Sequence, residues 1–368
     1  MLRSIGAVAL ATAAVAAHAQ AARDAFNPPM SIILQGTFAR SSQDPETYQI
    51  SGFAPSGGEV GPPRRGFSLA ESELWLAGNI DPYFRGQLIA ALTPEDEIEV
   101  EEAFIQTLAL GRGFTLKAGR FLSGIGYQNE IHQHAWDFAD APLAYSAFLG
   151  GRLNDDGVQA RWVAPTELFV ELGAEAGRGR GFPATDTPKN GSGAGAVFAH
   201  AGGDLGAAAW RAGLSQLRTS PVDRETEDAF FTGRSRLWIA DAVVKWSAFK
   251  LQAEYFRRKE DGELTADPVT DRYETRQSGW YGQAVYQFMP RWRTGYRYDR
   301  LSRGDVASPA PVPDHDPSRS TLMVDWSPTE FSRFRVQVAS DKSRAGVTDN
   351  QLVLQYVHSL GAHGAHRF

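Results

Sequence analysis

The sequence predicts an all-β fold: a transmembrane antiparallel β-barrel of about 16 strands. Three observations predict it. Apolar and polar residues alternate with a period of two along most of the chain, the connections between the alternating segments sort into a tight set and a long set, and no stretch after the N-terminal run approaches the length of a membrane helix.

Composition agrees. The 368 residues include 9 Trp, 11 Tyr, 21 Phe and 37 Gly, yet the mean hydropathy is only −0.33. A helical membrane protein would be greasier, whereas a spanning strand needs apolar side chains only at alternate positions. The chain has no cysteine, so it uses neither disulfides nor a thiolate zinc centre. A net charge of −6 gives no reason to expect nucleic acid as a partner. No G-x-S-x-G, Walker or H-E-x-x-H motif is present, and nothing points to an enzyme.

The chain opens with Met1-Leu2-Arg3, an Ala-rich apolar run from Ile5 to Ala17, and the small-x-small site Ala17-His18-Ala19. This is the pattern of a signal peptide spanning 1–19, too short for a membrane anchor, which needs about 20 apolar residues. A short periplasmic segment is expected at 20–30, the barrel at 31–358 and a periplasmic tail at 359–368. Strands are expected at about 31–40, 67–79, 82–92, 98–110, 113–121, 156–164, 166–175, 194–200, 207–217, 235–247, 249–258, 277–288, 291–299, 319–327, 331–339 and 350–358. In Phe249-Lys250-Leu251-Gln252-Ala253-Glu254-Tyr255 every odd position is apolar and every even one polar. Trp238, Ala240, Ala242, Val244 and Trp246 make one face of another strand, with tryptophans at both ends where lipid headgroups lie.

Tight connections include Asn79-Ile80-Asp81-Pro82, Gly111-Arg112-Gly113, Ala164-Pro165-Thr166, Gly202-Gly203-Asp204, Met289-Pro290-Arg291 and Ser327-Pro328-Thr329. Long ones are expected at 41–66, 122–155, 176–193, 218–234, 259–276 and 300–318. Short periplasmic turns opposite long extracellular loops distinguish a bacterial outer-membrane barrel from a soluble sandwich. Closure removes the sheet edge, whose unpaired backbone groups would each cost several kcal/mol or more in hydrocarbon. The terminal Phe368 is a mark of handling by the outer-membrane assembly machinery.

Residues alternating with the lipid face line the interior, which at about 16 strands admits water and solutes. The inward set includes Arg85, Lys117, Arg161, Arg211, Lys245, Lys250, Arg291, Arg293, Arg297, Arg333 and Arg335, against Glu71, Glu73, Glu171, Glu175, Asp241, Glu254 and Asp299. Such charges can simply pair across the wall. Alternatively Arg291, Arg293, Arg297, Arg333 and Arg335 form a ladder that favours anions. The connection at 122–155 carries Trp136, Phe138, Leu143, Tyr145, Phe148 and Leu149, too apolar for a freely solvated loop. In 16-stranded channel barrels the loop between the fifth and sixth strands folds inward and narrows the lumen, and by count this is that loop. Its constriction residues would be Asn129, Glu130, His132, His134 and Asp137. His132 and His134 are two apart and point the same way if extended. With Asp137 beside them, and with His363 and His366 if the tail enters the lumen, they are candidate zinc ligands. No cofactor is otherwise implied.

The run from Gly119-Arg120-Phe121 to Leu143, with its N-x-x-H-x-H-x-W-x-F-x-D-x-P-L pattern, resembles a family of porin-like outer-membrane proteins. The stretch Trp326-Ser327-Pro328-Thr329-Glu330-Phe331-Ser332-Arg333 and the chain end from Leu360 to Phe368 resemble it too. Members often carry the label of zinc-regulated, TonB-dependent receptors, and the family is distantly similar to the phosphate-selective porins. The resemblance implies a porin-like barrel in outer-membrane lipid, passing small hydrophilic solutes or ions. It does not carry over energised transport, because a receptor of that class needs an N-terminal plug and a 22-stranded barrel, while about 16 strands use up this chain. Two further readings stand beside the porin: a zinc-binding receptor using the loop and tail histidines, and a structural or adhesive barrel. A homotrimer is expected by analogy with 16-stranded porins.

Overall fold

A computed structural model describes residues 29–53, 60–186, 190–226, 229–266 and 268–361. The expected signal peptide, the histidines His363 and His366 and the terminal Phe368 lie outside the described residues.

Every strand pairs antiparallel with its neighbours, in the order β1 (Met30–Ser41), β2 (Gly66–Leu69 and Ser72–Asn79), β3 (Phe84–Leu92), β4 (Ile98–Thr107), β5 (Phe114–Leu122), β6 (Asn154–Val163), β7 (Phe169–Gly177) and β8 (Ala194–Leu205). The ring continues through β9 (Ala208–Thr219 and Arg224–Thr226), β10 (Ala229–Trp246), β11 (Phe249–Ala266), β12 (Val269–Met289), β13 (Trp292–Ala307), β14 (Ser318–Thr329), β15 (Ser332–Asp341) and β16 (Asp349–Gly361). Eighteen hydrogen-bonded segments thus make sixteen strands, since both pieces of β2 pair with β1 and both pieces of β9 pair with β10. The ring closes through β1 and β16, with Ser31 opposite Gly361 and Ser41 opposite Gln351. No sheet edge is left among the described residues.

The expected alternation decides which side chains meet lipid. On β10, Trp238, Ala240 and Ala242 are exposed while Leu237, Ile239, Asp241 and Val243 are buried. Outward aromatics stack into a girdle at the short-turn rim: Trp246 on Phe249, Phe249 on Tyr286 at 4.4 Å, Trp292 on Trp326 and Trp326 on Phe334.

Each of the sixteen expected segments is a strand, but several ends move. The stretches 218–234, 259–276 and 300–318, expected as loops, are largely continuations of β9 to β14. β12 alone has 21 residues, about twice what a span needs. Beyond the lipid the outer face has no reason to be apolar, so charged residues such as Arg257, Lys259 and Asp261 take the exposed positions and the period-two signal fades. At the other end, β16 runs on past His358 to Gly361.

Candidate functional site: the loop inside the barrel

The connection between β5 and β6 does not project outward. It folds into the lumen through two short turns of 3-10 helix, Gln128–Glu130 and Gln133–Ala135, and the helix α1 (Leu143–Leu149). Every residue of α1 is 4% exposed or less, a degree of burial that only the barrel interior supplies. Its core partners are inward apolar residues of the wall, Leu217, Leu237, Ile239, Phe256, Tyr281 and Leu301, together with Ile50 and Phe53 of the first long loop. The wall also caps the helix: the Leu143 N–H donates to Asp299 Oδ1 at 2.9 Å. At its far end Gly150 is left-handed (φ 67°) and its N–H returns to Ser146 O.

Asn129 ties the two ends of this loop together. Its Nδ2 donates to Ser123 O at 2.8 Å and Leu153 O at 2.9 Å, and its Oδ1 accepts from the Leu153 N–H at 2.7 Å. Asn129 is itself buried and closes the base of the loop instead of facing the lumen.

The loop's charged residues then dock, in chain order, onto walls of opposite sign. Glu130 pairs with Arg161 of β6 and, at 3.7 Å, with Arg211 of β9. His132 and His134 turn to an acidic wall on β2 and β4: His132 Nδ1 lies 3.1 Å from Glu101 and 3.6 Å from Glu73, His132 Nε2 lies 3.3 Å from Glu102, and His134 Nδ1 lies 2.8 Å from Glu73. Trp75 Nε1 also donates to Glu73 at 2.6 Å, and Arg152 pairs with Glu71 and Glu101. Burial works against an imidazolium at His132, but Glu102 and Glu73 outweigh it and raise its pKa.

Asp137 turns the opposite way, toward Lys250 of β11 at 2.8 Å and Arg293 of β13 at 3.0 Å. Burial alone would raise its carboxyl, but Lys250 and Arg293 hold it at about 2. Asp140 follows, paired with Arg297 at 3.0 Å and Arg319 at 2.8 Å.

This geometry corrects three expectations. Asp137 does not share a site with His132 and His134, because it serves the basic wall while they serve the acidic one. Arg291 is not a lumen residue: it occupies the tight turn between β12 and β13 with φ 81° and is exposed at the short-turn rim. The remaining arginines form no free ladder. Arg293 pairs with Asp137 and Asp325, Arg297 with Asp140 and Asp299, and Arg335 with Asp325 while donating to Trp136 O at 2.9 Å. Arg333 donates to His134 O. These arginines clamp the loop.

Two residues of the acidic wall that receives His132 escaped the sequence reading. Glu101 and Glu102 are adjacent yet both buried and inward, because β4 is bulged against β3: Ile89 faces Glu102, Ala90 faces Val100, and Glu101 is the extra residue. Two neighbouring glutamates inside a strand are the signal that would have found them, since an unbulged strand sends one of any adjacent pair outward.

A cavity of about 880 Å³ remains beside the loop, opening toward the short-turn rim. Lys245, Lys250, Arg293 and Arg333 line it, against Asp137 and Glu330.

Comparison with known proteins fits this architecture. A family model described as Phosphate-selective porin O and P matches residues 196–353. An uncharacterized protein of Aquifex aeolicus (strain VF5) is 33% identical, over 94% of this chain and 80% of that protein. Among solved structures, an anion-selective porin from Comamonas acidovorans superposes with a TM-score of 0.60 at 10% identity, covering 90% of this chain and 98% of that one. The outer-membrane channel DcaP of Acinetobacter baumannii gives 0.57 at 12%, covering 90% and 96%. OmpT of Vibrio cholerae in its trimer form gives 0.56 at 11%, covering 90% and 98%. The label of zinc-regulated, TonB-dependent receptor finds no support in these matches, and fold and family point to a channel rather than an enzyme. With sixteen strands closed around an inward loop, the chain belongs to a porin-like family of channels in the bacterial outer membrane.

Proposed function

We propose that the chain is a passive diffusion channel for small hydrophilic solutes or ions, with its aperture set by the loop between β5 and β6 and a preference for anions. The observation that carries this reading is the cavity beside the loop, where four cations, Lys245, Lys250, Arg293 and Arg333, stand against the carboxylates Asp137 and Glu330. A permanent excess of positive charge in a narrow aqueous space concentrates anions and repels cations. Single-channel recording in a planar bilayer under a salt gradient tests it. A steady conductance with a reversal potential toward the anion equilibrium value is the expected result. A folded barrel that does not conduct would overturn the channel reading, and a cation-side reversal potential would overturn the preference. The trimer form of Vibrio cholerae OmpT supports a homotrimer as the assembly to look for.

A second reading concerns zinc. Donor atoms of Glu73, Glu101 and His132, all buried, lie within 4.8 Å of one another. Imidazole with two carboxylates is a donor set that zinc accepts, and ligands about 2.0–2.1 Å from a tetrahedral ion sit about 3.3 Å apart, close to the separations here. A proton shared between His132 and the glutamates satisfies the same atoms, so the ion would have to displace it. Zinc titration followed by calorimetry decides: binding lost in His132→Ala supports a zinc site at the loop, and heat unchanged by that substitution removes it.

A further inference from the structure

The outward face of β9 to β12 ends in cations at one height. On β9 the outward residues from the short-turn rim run Ala208, Trp210, Ala212, Leu214, Gln216, Arg218; on β10 Trp246, Val244, Ala242, Ala240, Trp238, Arg236. On β11 they run Phe249, Leu251, Ala253, Tyr255, Arg257, Lys259, and on β12 Tyr286, Ala284, Gly282, Trp280, Ser278, Arg276. Each series covers ten residue steps. At about 3.3 Å per step and a tilt of about 40°, the last position stands roughly 25 Å above the first, the height of the apolar band of such barrels.

The strand register turns these ends into a row. Arg218 lies opposite Arg236, Arg236 opposite Lys259, and Lys259 opposite Arg276. Arg257, paired with Trp238, sits just below. Like charges directly opposite on adjacent strands repel, and three such pairs in succession destabilise a sheet unless an anion lies between them. The protein supplies little of it. Glu274 reaches Lys259 at 3.5 Å and Arg276 at 3.4 Å but also serves Arg272, and Asp305 follows Arg276 on β13. Arg218 reaches only Gln216, at 2.6 Å, and Arg236 and Arg257 have no ion pair among the described residues. The row of facing cations is particular to this wall: where β14, β15 and β16 leave their apolar stretches, the outward residues are Ser320, Ser340 and Asn350, and the outward Arg40 at the same point of β1 faces Leu352.

We propose that Arg218, Arg236, Lys259 and Arg276 form a binding strip for the phosphate-bearing headgroups of anionic lipids, in the leaflet on the long-loop side. Height places the strip at headgroup level, the aromatics beneath it hold the acyl boundary, and its charge selects phosphate. Such a lipid would fix this wall in the membrane and screen the repulsion within the row.

The test uses the full chain purified from membranes and reconstituted into phosphatidylcholine vesicles. Tryptophan quenching is compared for brominated phosphatidylglycerol and brominated phosphatidylcholine at equal mole fraction, with Trp238 and Trp280 as neighbouring reporters. The expected result is an enrichment of phosphatidylglycerol of about threefold or more at about 0.1 M salt, falling to parity at about 1 M, where screening shortens to about 3 Å. Replacing all four residues by Gln abolishes the enrichment, while Arg64→Gln, across the ring before β2, leaves it intact. Equal quenching by the two lipids in the unmodified protein overturns the proposal, as does enrichment that survives high salt or persists in a four-site variant that still migrates as a folded barrel. Loss of enrichment on adding millimolar inorganic phosphate would show a site for free phosphate instead, and also overturns it. Because the salt series uses the unmodified chain, the proposal stays testable if the variant does not fold.

Discussion

Glu254 on β11 holds Tyr145 of α1 from across the lumen, accepting the Tyr145 hydroxyl on Oε2 at 2.9 Å. The same carboxylate accepts the backbone N–H groups of Tyr127 and Gln128, at 3.1 and 2.9 Å, and the Tyr281 hydroxyl at 2.5 Å. One buried side chain therefore gathers the start of the inner loop, its helix and the wall into a single network.

Removing that acceptor should release the loop. Glu254→Ala strands two buried N–H groups and two hydroxyls, each worth about 1–3 kcal/mol when left without a partner. The expected outcome is a lower thermal midpoint together with a larger or noisier single-channel conductance. Glu254→Gln keeps one acceptor oxygen and should fall between the two. An Ala variant with unchanged conductance would show that the loop does not set the aperture.

Gly126 makes the same point by sterics. Its φ is +67°, and a Cβ there would stand 2.5 Å from the Tyr145 hydroxyl and 2.6 Å from Glu254 Oε2. Gly126→Ala therefore meets both a left-handed backbone and a filled site, and we expect a loss of about 2–3 kcal/mol of stability, read as a shift in the urea midpoint. Gly111→Ala serves as the comparison. It is also left-handed but has open space around the added methyl, so it should cost less.

The barrel was legible because lipid imposes its rule on every spanning strand: all sixteen segments and most of the tight turns follow from alternation and turn chemistry, although the turn expected at Gly202-Gly203-Asp204 falls at Gly206, beyond the end of β8. Strand ends on β9 to β14 were not, because nothing apolar marks a strand once it stands in water. The inner loop was visible in Trp136, Phe138 and Phe148, residues that need a place to be buried. Its partners were harder to see. Leu237, Ile239, Phe256 and Leu301 are apolar residues on the face expected to be wet, and only the packing of α1 against them explains their presence. The pairing of Asp137 with Lys250 joins residues 113 apart in sequence, a relation that no local pattern encodes.

Neutralising Asp137 should tune selectivity. Asp137→Asn removes the counter-charge of Lys250 and Arg293, so anion permeability relative to cation should rise; Lys250→Gln with Arg333→Gln should lower it. Because Lys250 and Arg293 hold the Asp137 carboxyl at about 2, below its ordinary 3.8, its contribution to stability is complete above about pH 4 and is lost as pH falls through 2. Asp137 should therefore add no pH dependence to the reversal potential between about pH 5 and 8. A drift in that window that disappears in Asp137→Asn would contradict the ionised, paired carboxylate.

Phe148 tests whether packing, rather than charge alone, keeps the loop inside. Its ring is fully buried, stacked on Phe256 of β11 at 6.0 Å and edge-on to Phe53 of the first long loop at 5.7 Å. Arg258 lies over its face at 5.1 Å. Phe148→Ala removes all three contacts and should cost about 3–5 kcal/mol, while Phe148→Leu, which leaves less of a void, should cost less. If packing holds the loop, Phe148→Ala should raise conductance without moving the reversal potential, since every charge along the path is retained. A folded Phe148→Ala barrel with conductance and selectivity both unchanged would mean instead that the Asp137 and Asp140 ion pairs hold the loop by themselves and that α1 merely fills the space behind it.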